Sequence, residues 1–493
     1  MTSQDQQINA ADAGILASGT GKKGPEERDL PDSLKHDMDL CLRILRDVLG
    51  EFDPELLAKF DTVREYAVEA SAEHFGGMVD PNPDQNGLAK AVETIDAMNL
   101  HDAQLLARAF ATYFHLANLC EENYRVSVLH GREAKVAESE AVDPVNEMTL
   151  AYHKLINEMG PAKAKELLNR LEFHPVFTAH PTEARRKAVE GKIRRISELL
   201  GAHRVLGGTD KKENCRRLYN EIDALFRTSP IALKKPTPVE EADTILDIFD
   251  NTLFHTIPQV YRRFDDWVLG DKAGLVEPVC PAFFHPGSWI GSDRDGNPNV
   301  TAKVSRKVAR KFSDHVLAAL EKATRTVGRN LTMEAETTPA SMDLKSLWNH
   351  QKEMSERLTD KAALISTKEL HRAVMLVIAD RLHYTIERDA DLMYHTCDDF
   401  IADLKVVQRS LAAAGAARSA YGPLQDLIWQ AETFGFHMVE MEFRQHSVVH
   451  ARALEDIREH GLHGERGELQ PMTHEVLDTF RALGSIQKRN GIK

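Results

Sequence analysis

The sequence predicts a mostly helical chain that also carries a few β/α units. Apolar residues recur at spacings of three and four over long tracts, which is typical of helices with one buried face. Strand-like runs are few and short, and the best of them lead into polar loops. A length of 493 residues with 42% hydrophobic content allows two or three ordinary domains, or one large one, with a real core. We expect a disordered tail at 1–30, a helical region at 31–170 and β/α units with long helical insertions at 171–493.

The helical region is predicted from three amphipathic segments. The first follows Pro31, where Asp32 or Ser33 can cap the helix, and its buried face comprises Leu34, Met38, Cys41, Leu45 and Val48. The segment 101–128 repeats these spacings with Leu105, Ala109, Tyr113, Leu116 and Leu119. Residues 147–172 are predicted to form a further helix that Gly160-Pro161 interrupts.

Three strand-like runs define the predicted β/α units. They are Pro175–Thr178, Pro281–Phe284 and Phe436–Phe443, and long helical tracts separate them. Functional groups gather at the carboxyl ends of strands in such units. We therefore expect the site in the loops that follow these runs.

Composition excludes several classes of function. Lys+Arg 62 against Asp+Glu 76 gives 62 − 76 = −14, so the molecule repels nucleic acid and anionic lipid, and an anionic ligand needs a local basic cluster. The five cysteines are scattered without a CxxC, which argues against a zinc ribbon or a disulfide framework and favours a reducing compartment. No signal-peptide pattern and no membrane-spanning run is present, so a cytoplasmic protein is expected.

The first loop lies within VFTAHPTEARRK at 176–187. Pro181 suits a first helical position, and an apolar stripe of Val189, Ile193, Ile196 and Leu200 follows, which places His180 at or just before a helix N-terminus. The helix dipole there disfavours imidazolium and keeps the ring neutral, as a general base requires. Arg185, Arg186 and Lys187 would suit a bound phosphate or carboxylate. The alternative, a structural histidine beside a solvated basic face, stays open.

The second loop, GSWIGSDRDGNPNVT at 287–301, combines three glycines with Trp289 and the run Asp293-Arg294-Asp295. Dense glycine allows the backbone to approach a ligand or to turn sharply. A calcium loop is rejected because Gly296 stands at the fourth position and Val304 at the twelfth. His174 and His180 lack the spacing and third ligand of a zinc site. A tight turn supported by a buried Trp289 and an Asp293–Arg294 pair is an equal alternative to a functional loop.

Both loops resemble signatures of phosphoenolpyruvate carboxylases. VFTAHPTEARRK is similar to that family's histidine signature, and GSWIGSDRDGNPNVT to its tryptophan–aspartate loop, with Ser292 where a second glycine is usual, at some cost in backbone freedom. FRQHS at 443–447 resembles the family's Arg-Gln segment, and the similarity extends from about residue 32 to the end.

The resemblance implies part of an elaborated (β/α)8 TIM-type barrel. Family chains are roughly twice as long, so this sequence is expected to contain the N-terminal helices and about the first three β/α units of a truncated barrel. The family's Gly-Tyr-Ser-Asp-Ser motif, mobile Gly-Arg-Gly-Gly loop, acidic metal ligands and inhibitor site are absent from it.

The function implied is the joining of phosphoenolpyruvate and bicarbonate to give oxaloacetate and phosphate, an anaplerotic carbon fixation that feeds the tricarboxylic acid cycle. It needs Mg²⁺ or Mn²⁺, with ligands expected in the missing C-terminal half. His180 would take the proton of carboxyphosphate, and Arg444 would contact the substrate phosphate. Arg185 and Arg186 would support the anion field, Trp289 would shape the bicarbonate side, and Arg294 is also predicted to bind substrate.

The partners implied are a C-terminal half chain and, for the complete enzyme, further copies in a homo-oligomer. The chain alone is expected to be inactive, as a fragment or as one piece of a split enzyme. The alternative is a non-catalytic binding or regulatory protein derived from this half.

Overall fold

The computed structural model describes residues 31–75, 87–138, 147–178, 187–229, 236–355, 358 and 368–491. The first eight helices are α1 (Asp32–Phe52), α2 (Pro54–Phe75), α3 (Gly87–Asp96), α4 (Leu100–Glu138), α5 (Glu147–Met159), α6 (Pro161–Leu168), α7 (Lys187–Val205) and α8 (Gly208–Arg227). The others are α9 (Pro238–Ile248), α10 (Phe254–Leu269), α11 (Ala302–Asn330), α12 (Met342–Met354), α13 (Leu370–Glu387), α14 (Cys397–Ala413), α15 (Ala417–Ala420), α16 (Pro423–Phe434), α17 (Ser447–His460) and α18 (Pro471–Asn490). The strands are β1 (Val176–Phe177), β2 (Gly287–Ser288) and β3 (Glu440–Met441). The prediction of a mostly helical chain is confirmed.

Packing divides the chain into two compact units. The first takes its described residues from Met1–Asn146 and Thr182–Lys235, and the second from Glu147–Pro181 and Pro236–Lys493. The division of the sequence at residue 170 stays a prediction. None of the described helices carries a stretch long and apolar enough to cross a membrane.

The first unit is a helical bundle whose core follows the predicted periodicity. On α1, the predicted positions Leu34, Cys41, Leu45 and Val48 are buried. This helix begins at Asp32 with Pro31 at its cap position, and no side chain caps it, so the expected cap by Asp32 or Ser33 is wrong. On α7, Val189, Ile196 and Leu200 are buried as predicted, and Ile193 packs half-buried against the same core.

Two cysteines that lie far apart in the sequence meet inside this bundle. Cys41 on α1 and Cys120 on α4 are buried, and their sulfur atoms are 3.7 Å apart. The spacing of the cysteines in the sequence gives no sign of this contact, because helix packing creates it.

The predicted interruption at Gly160-Pro161 is confirmed in the second unit. Helix α5 ends at Met159, Gly160 has a φ of 81°, and α6 begins at Pro161. A positive φ at this junction suits glycine, which adopts it without strain.

The second unit contains a parallel sheet of three two-residue strands in the order β1-β2-β3. Val176 pairs with Gly287, and Gly287 in turn pairs with Glu440. Helices separate the strands along the chain, which is the expected β/α arrangement. A closed barrel stays a prediction.

The strand expected at Pro281–Phe284 is wrong, because β2 lies at Gly287–Ser288. Phe284 forms a parallel bridge with Phe173, in which the Phe173 N–H donates to the Phe283 carbonyl at 2.7 Å and the His285 N–H donates to the Phe173 carbonyl at 2.8 Å. The N–H of Phe284 donates to the buried hydroxyl of Tyr261 at 3.1 Å, and its ring is buried with the helices. Burial therefore accounts for these aromatic residues, which lie just before the strand.

The strand expected at Phe436–Phe443 is shortened to Glu440–Met441. Gly435 and Met438 both have positive φ values, of 52° and 69°, and the N–H of Met438 donates to the carbonyl of Phe434. These turns occupy the first part of the run. Of the three predicted strands, only Pro175–Thr178 agrees with the observed strand, Val176–Phe177, to within one residue at each end.

The segment before β2 is anchored to the helices of the second unit. Asp265 on α10 is buried and accepts the N–H groups of Val279 and Cys280, each at 2.8 Å. Trp429 on α16 is buried and donates its Nε1–H to the Cys280 carbonyl at 3.3 Å. These contacts attach the segment that leads into β2 to two helices of the second unit.

Candidate functional site

The candidate site lies at the carboxyl edge of the sheet, where the chain leaves β1, β2 and β3. Because the strands are parallel, the residues after them leave at one edge. The second and third strands lead there to Trp289 and Glu442. His180 follows Phe177 by three positions in the sequence, but His180, Arg185 and Arg186 lie outside the described residues. Their roles stay predictions.

The second predicted loop forms an arch between two backbone contacts of β2 and β3. Ser288 pairs with Met441, and the next contact is the isolated bridge between Asp293 and Arg444. Five positions separate Ser288 from Asp293, whereas three separate Met441 from Arg444. The arch therefore carries two extra residues, and it stands out from the sheet beside Arg444.

Backbone hydrogen bonds close the arch at its base. The N–H of Arg444 donates to the carbonyl of Ser292 at 3.2 Å, and the N–H of Arg294 donates to the carbonyl of Arg444 at 2.9 Å. These two bonds fix the main chain of Arg444 against the loop.

Gly291 allows the arch to pack tightly on α11. Its φ is 74°, and a β-carbon added there would lie 2.7 Å from Cγ2 of the buried Val308. Ser292, where the family usually has glycine, does not have a positive φ. Its buried hydroxyl donates to the Ser288 carbonyl at 3.2 Å. The expected loss of backbone freedom therefore does not arise at this serine.

Arg294 is buried beneath the arch. Its side chain is 7% exposed, and it donates to the Ser292 carbonyl at 2.9 Å and to Ser305 Oγ at 2.7 Å. Ser305 donates in turn to the Gly291 carbonyl at 2.6 Å. Burial lowers the pKa of Arg294. These contacts tie the guanidinium to the loop.

The Asp293–Arg294 pair of the structural alternative does not form in the described part of the chain. Asp293 Oδ1 instead accepts the N–H of Asp295 at 3.0 Å, within a turn. Trp289 is half-buried, whereas that alternative expected it to be buried. The loop is therefore supported by Arg294 and Ser305, and its tryptophan reaches the surface.

Trp289 and Arg444 form the exposed part of the site. The indole Nε1–H donates to Glu442 Oε2 at 2.7 Å, and the guanidinium carbon of Arg444 lies 4.1 Å from the centroid of an indole ring. Arg444 is exposed and forms no ion pair with any residue that the structure describes. A planar, unneutralised guanidinium is suited to binding a phosphate or carboxylate group.

The sheet also brings two histidines together at its opposite edge. His174 precedes β1 and His285 precedes β2, and their rings stack at 4.8 Å between centroids. His174 Nδ1 lies 3.7 Å from a carboxylate oxygen of Glu440. These histidines lie before the strands, whereas Arg444 lies after them, so they do not belong to the arginine site.

No group of three or more His, Cys, Asp or Glu side chains that could hold a metal ion occurs among the described residues. The residues around Arg444 therefore do not fit the divalent metal that the sequence resemblance implies.

Two contributors, Glu442 and Ser305, were not predicted from the sequence. Glu442 lies two positions before Arg444 near a strand, and this spacing places two side chains on one face of extended chain. That period could have identified it. No local pattern indicates Ser305, whose contact depends on how α11 packs under the arch.

Comparison with known proteins identifies relatives along most of the chain. The family model of phosphoenolpyruvate carboxylase matches residues 34–466. A phosphoenolpyruvate carboxylase of Roseiflexus castenholzii is 32% identical over 437 residues, covering 80% of this chain and 46% of the relative. A phosphoenolpyruvate carboxylase of Azorhizobium caulinodans is 28% identical over 461 residues, covering 90% of this chain and 47% of the relative. The chain spans about half the length of the curated relatives it matches.

Proposed function

Because this chain belongs to the phosphoenolpyruvate carboxylase family, we propose that it forms one part of a carboxylating active site. The reaction joins bicarbonate to phosphoenolpyruvate and releases oxaloacetate and inorganic phosphate. The observation that carries this proposal is the exposed Arg444 guanidinium, which lies on Trp289 without an ion pair to any described residue. A net charge of −14 makes such an isolated cation the feature that would gather an anionic substrate.

Arg444 would bind the phosphate of phosphoenolpyruvate. Its main chain is fixed by the bonds to Ser292 and Arg294, and the indole face restricts its guanidinium. An arginine held in one orientation loses less freedom when it binds, so this preorganisation would favour the bound state. Trp289 would also border the side from which bicarbonate approaches.

His180 would act as the general base of the second step. Bicarbonate first takes the phosphoryl group, which gives carboxyphosphate and the enolate of pyruvate. His180 would then take the carboxyl proton, so that carboxyphosphate separates into CO₂ and phosphate and the enolate carbon attacks the CO₂. A neutral imidazole with a pKa near the working pH is suited to this step. Arg185 and Arg186 would hold the anionic groups near this base.

Arg294 supports the site from below in this proposal. Its guanidinium bonds to Ser292 and Ser305 favour a structural role over the predicted direct contact with substrate. Mg²⁺ or Mn²⁺ would stabilise charge on the substrates. Because the described residues do not fit such an ion, its ligands would belong to the family's C-terminal half.

The partner that we propose is a chain or segment with the family's C-terminal half. The described strands leave β3 paired on one side only, and the helices that follow β3 expose apolar side chains. Those on α18 include Met472 and Phe480, which are 54% and 58% exposed. A complementary set of β/α units would cover this surface. The complete enzyme would be a cytoplasmic homo-oligomer, and the free cysteines suit that compartment.

Co-expression tests the proposal. The 493-residue chain would be produced with a second chain carrying the family's C-terminal half, separated by size exclusion, and assayed for oxaloacetate with bicarbonate and Mg²⁺. We expect a complex with metal-dependent activity, which Arg444→Ala weakens through KM by about tenfold or more, the size expected of one charge-assisted contact.

Arg452→Ala is the matched control because Arg452 is an exposed arginine of the neighbouring helix α17. Equal KM values in the Arg444 and Arg452 variants would remove Arg444 from the site. A stable, monodisperse monomer that does not bind the C-terminal half would favour the alternative of a non-catalytic binding protein.

A further inference from the structure

Two side chains of opposite charge follow β3 without pairing with each other. Glu442 and Arg444 are two positions apart in an extended segment, a spacing that places both on one face. An ion pair between them would be expected from this spacing, yet none forms. The carboxylate and the guanidinium each contact Trp289 instead.

Trp289 binds the two groups through different parts of its indole. Its Nε1–H donates to Glu442 Oε2 at 2.7 Å, so this edge of the ring holds the carboxylate. A ring face meets the Arg444 guanidinium at 4.1 Å. A hydrogen bond to a carboxylate is stronger than one between neutral groups, and a stacked guanidinium is attracted to the ring electrons. Trp289 therefore contacts both the carboxylate and the guanidinium, and it keeps the two charged groups apart.

We propose that Trp289 prevents Glu442 from neutralising Arg444, and that Glu442 fixes the plane of the indole on which Arg444 lies. Glu442 is thus a positioning residue for the anion-binding arginine. Its effect on substrate affinity rests on the proposed function, whereas the separation of the two charges does not. The indole N–H, which phenylalanine lacks, is the group on which the separation depends.

Three variants test the separation of charges. Trp289→Phe keeps an aromatic face but removes the N–H, which frees Glu442 to pair with Arg444. Glu442→Gln keeps an acceptor for the indole and removes the charge. The double variant Trp289→Phe/Glu442→Gln has neither the N–H donor nor the competing carboxylate.

Reaction with phenylglyoxal, measured by mass spectrometry of the peptide that contains Arg444, reports whether its guanidinium is paired. We expect Arg444 to react in the unmodified chain, in Glu442→Gln and in the double variant, and to react severalfold more slowly in Trp289→Phe. Arg481, which pairs with Asp478 at 2.8 Å on α18, is the internal control and should not change. Equal reactivity of Arg444 in all four proteins would overturn the proposal.

The completed enzyme supplies the second readout. Trp289→Phe should raise KM for phosphoenolpyruvate about tenfold with a smaller change in kcat. The double variant removes the competing charge but still lacks the indole N–H, so it should restore KM in part. A merely structural tryptophan would leave the double variant as impaired as the single one, and that result would refute the role of Glu442.

Glu442→Leu and Glu442→Gln form a matched pair for the positioning role. The leucine variant removes the acceptor of the indole and should raise KM, whereas the glutamine variant should stay close to the unmodified enzyme. Equal KM values in the leucine and glutamine variants would contradict the positioning role of Glu442. Phenylglyoxal labelling needs no substrate, so a failure of phosphoenolpyruvate binding in the unmodified enzyme would count against the proposed function alone.

Discussion

Replacing Gly291 by alanine tests how the arch beside Arg444 is held against α11. Gly291 combines two constraints: a φ of 74° and a β-carbon position 2.7 Å from Cγ2 of Val308. The same β-carbon would lie 2.8 Å from Val308 Cβ, the attachment point of that side chain, so a change of rotamer cannot relieve the clash. We therefore expect Gly291→Ala to be strongly destabilising.

The expected cost has two parts. A left-handed conformation costs a non-glycine residue about 1–2 kcal/mol, and overpacking of a buried site costs about 1–3 kcal/mol. Their sum is about 2–5 kcal/mol in the free energy of unfolding. Gly296 separates the parts, since its φ is 69° but no atom lies within 4 Å of its added β-carbon. Gly296→Ala should therefore cost only about 1–2 kcal/mol.

Urea unfolding followed by circular dichroism measures both variants. The difference between them isolates the contact with Val308, and Gly291→Ala/Val308→Ala should cost less than the sum of its single changes because the two sites touch. If Gly291→Ala destabilised the chain no more than Gly296→Ala, or if the double variant were additive, the packing of the arch on α11 would not be what requires glycine.

Four further predictions concern the chain and its chemistry. The 493-residue chain alone should make no oxaloacetate above a His180→Asn control, and bicarbonate- and metal-dependent product would contradict this. In the completed enzyme, His180→Asn should abolish carboxylation yet keep some bicarbonate-dependent phosphate release; equal loss of both would assign His180 to positioning. Burial lowers the pKa of His371 from its ordinary value of 6.5 to about 4. The neutral ring therefore contributes fully to the free energy of unfolding above pH 6.5, and this contribution, up to about 3 kcal/mol, should be lost as the pH falls towards 4. An equally steep fall in the stability of His371→Asn would refute this. The hydrogen bond with Cys120, and then burial, raise the pKa of Cys41 well above its ordinary value, so the Cys41 thiol should resist a thiol reagent until urea unfolds the chain. Rapid labelling of Cys41 in the native chain would count against that packing.

Helices were more predictable from the sequence than strands, for a physical reason. The periodicity of Leu34, Cys41 and Leu45 reports a long buried face, which is a local property of one helix. A two-residue strand has no period to detect. The aromatic run before β2 predicted a strand at Pro281–Phe284, but the strand lies at Gly287–Ser288, and the N–H of Phe284 donates to Tyr261 on α10.

The sequence indicated several residues of the candidate site but not the contacts that each of them makes. Glycine density and Trp289 identified the second loop, and Arg444 was identified by resemblance. Arg294 looked equally available for substrate, because sequence alone does not show that its guanidinium bonds to Ser305 beneath the loop. Burial and long-range pairing decide such roles, and both depend on the complete fold.

The unequal lengths of the two segments between the contacts of β2 and β3 constrain how this region can vary in evolution. Five positions lead from Ser288 to Asp293 and three from Met441 to Arg444, and the two end contacts fix both counts. A one-residue deletion in the longer segment would bring a different residue opposite Arg444. Each side chain of the shifted chain would then point to the opposite face. Substitutions such as serine at position 292 are tolerated, because they keep the count. Insertions and deletions should therefore be excluded here even between homologues that differ at most of these positions, and a family member that changed one segment length would have to change the other as well.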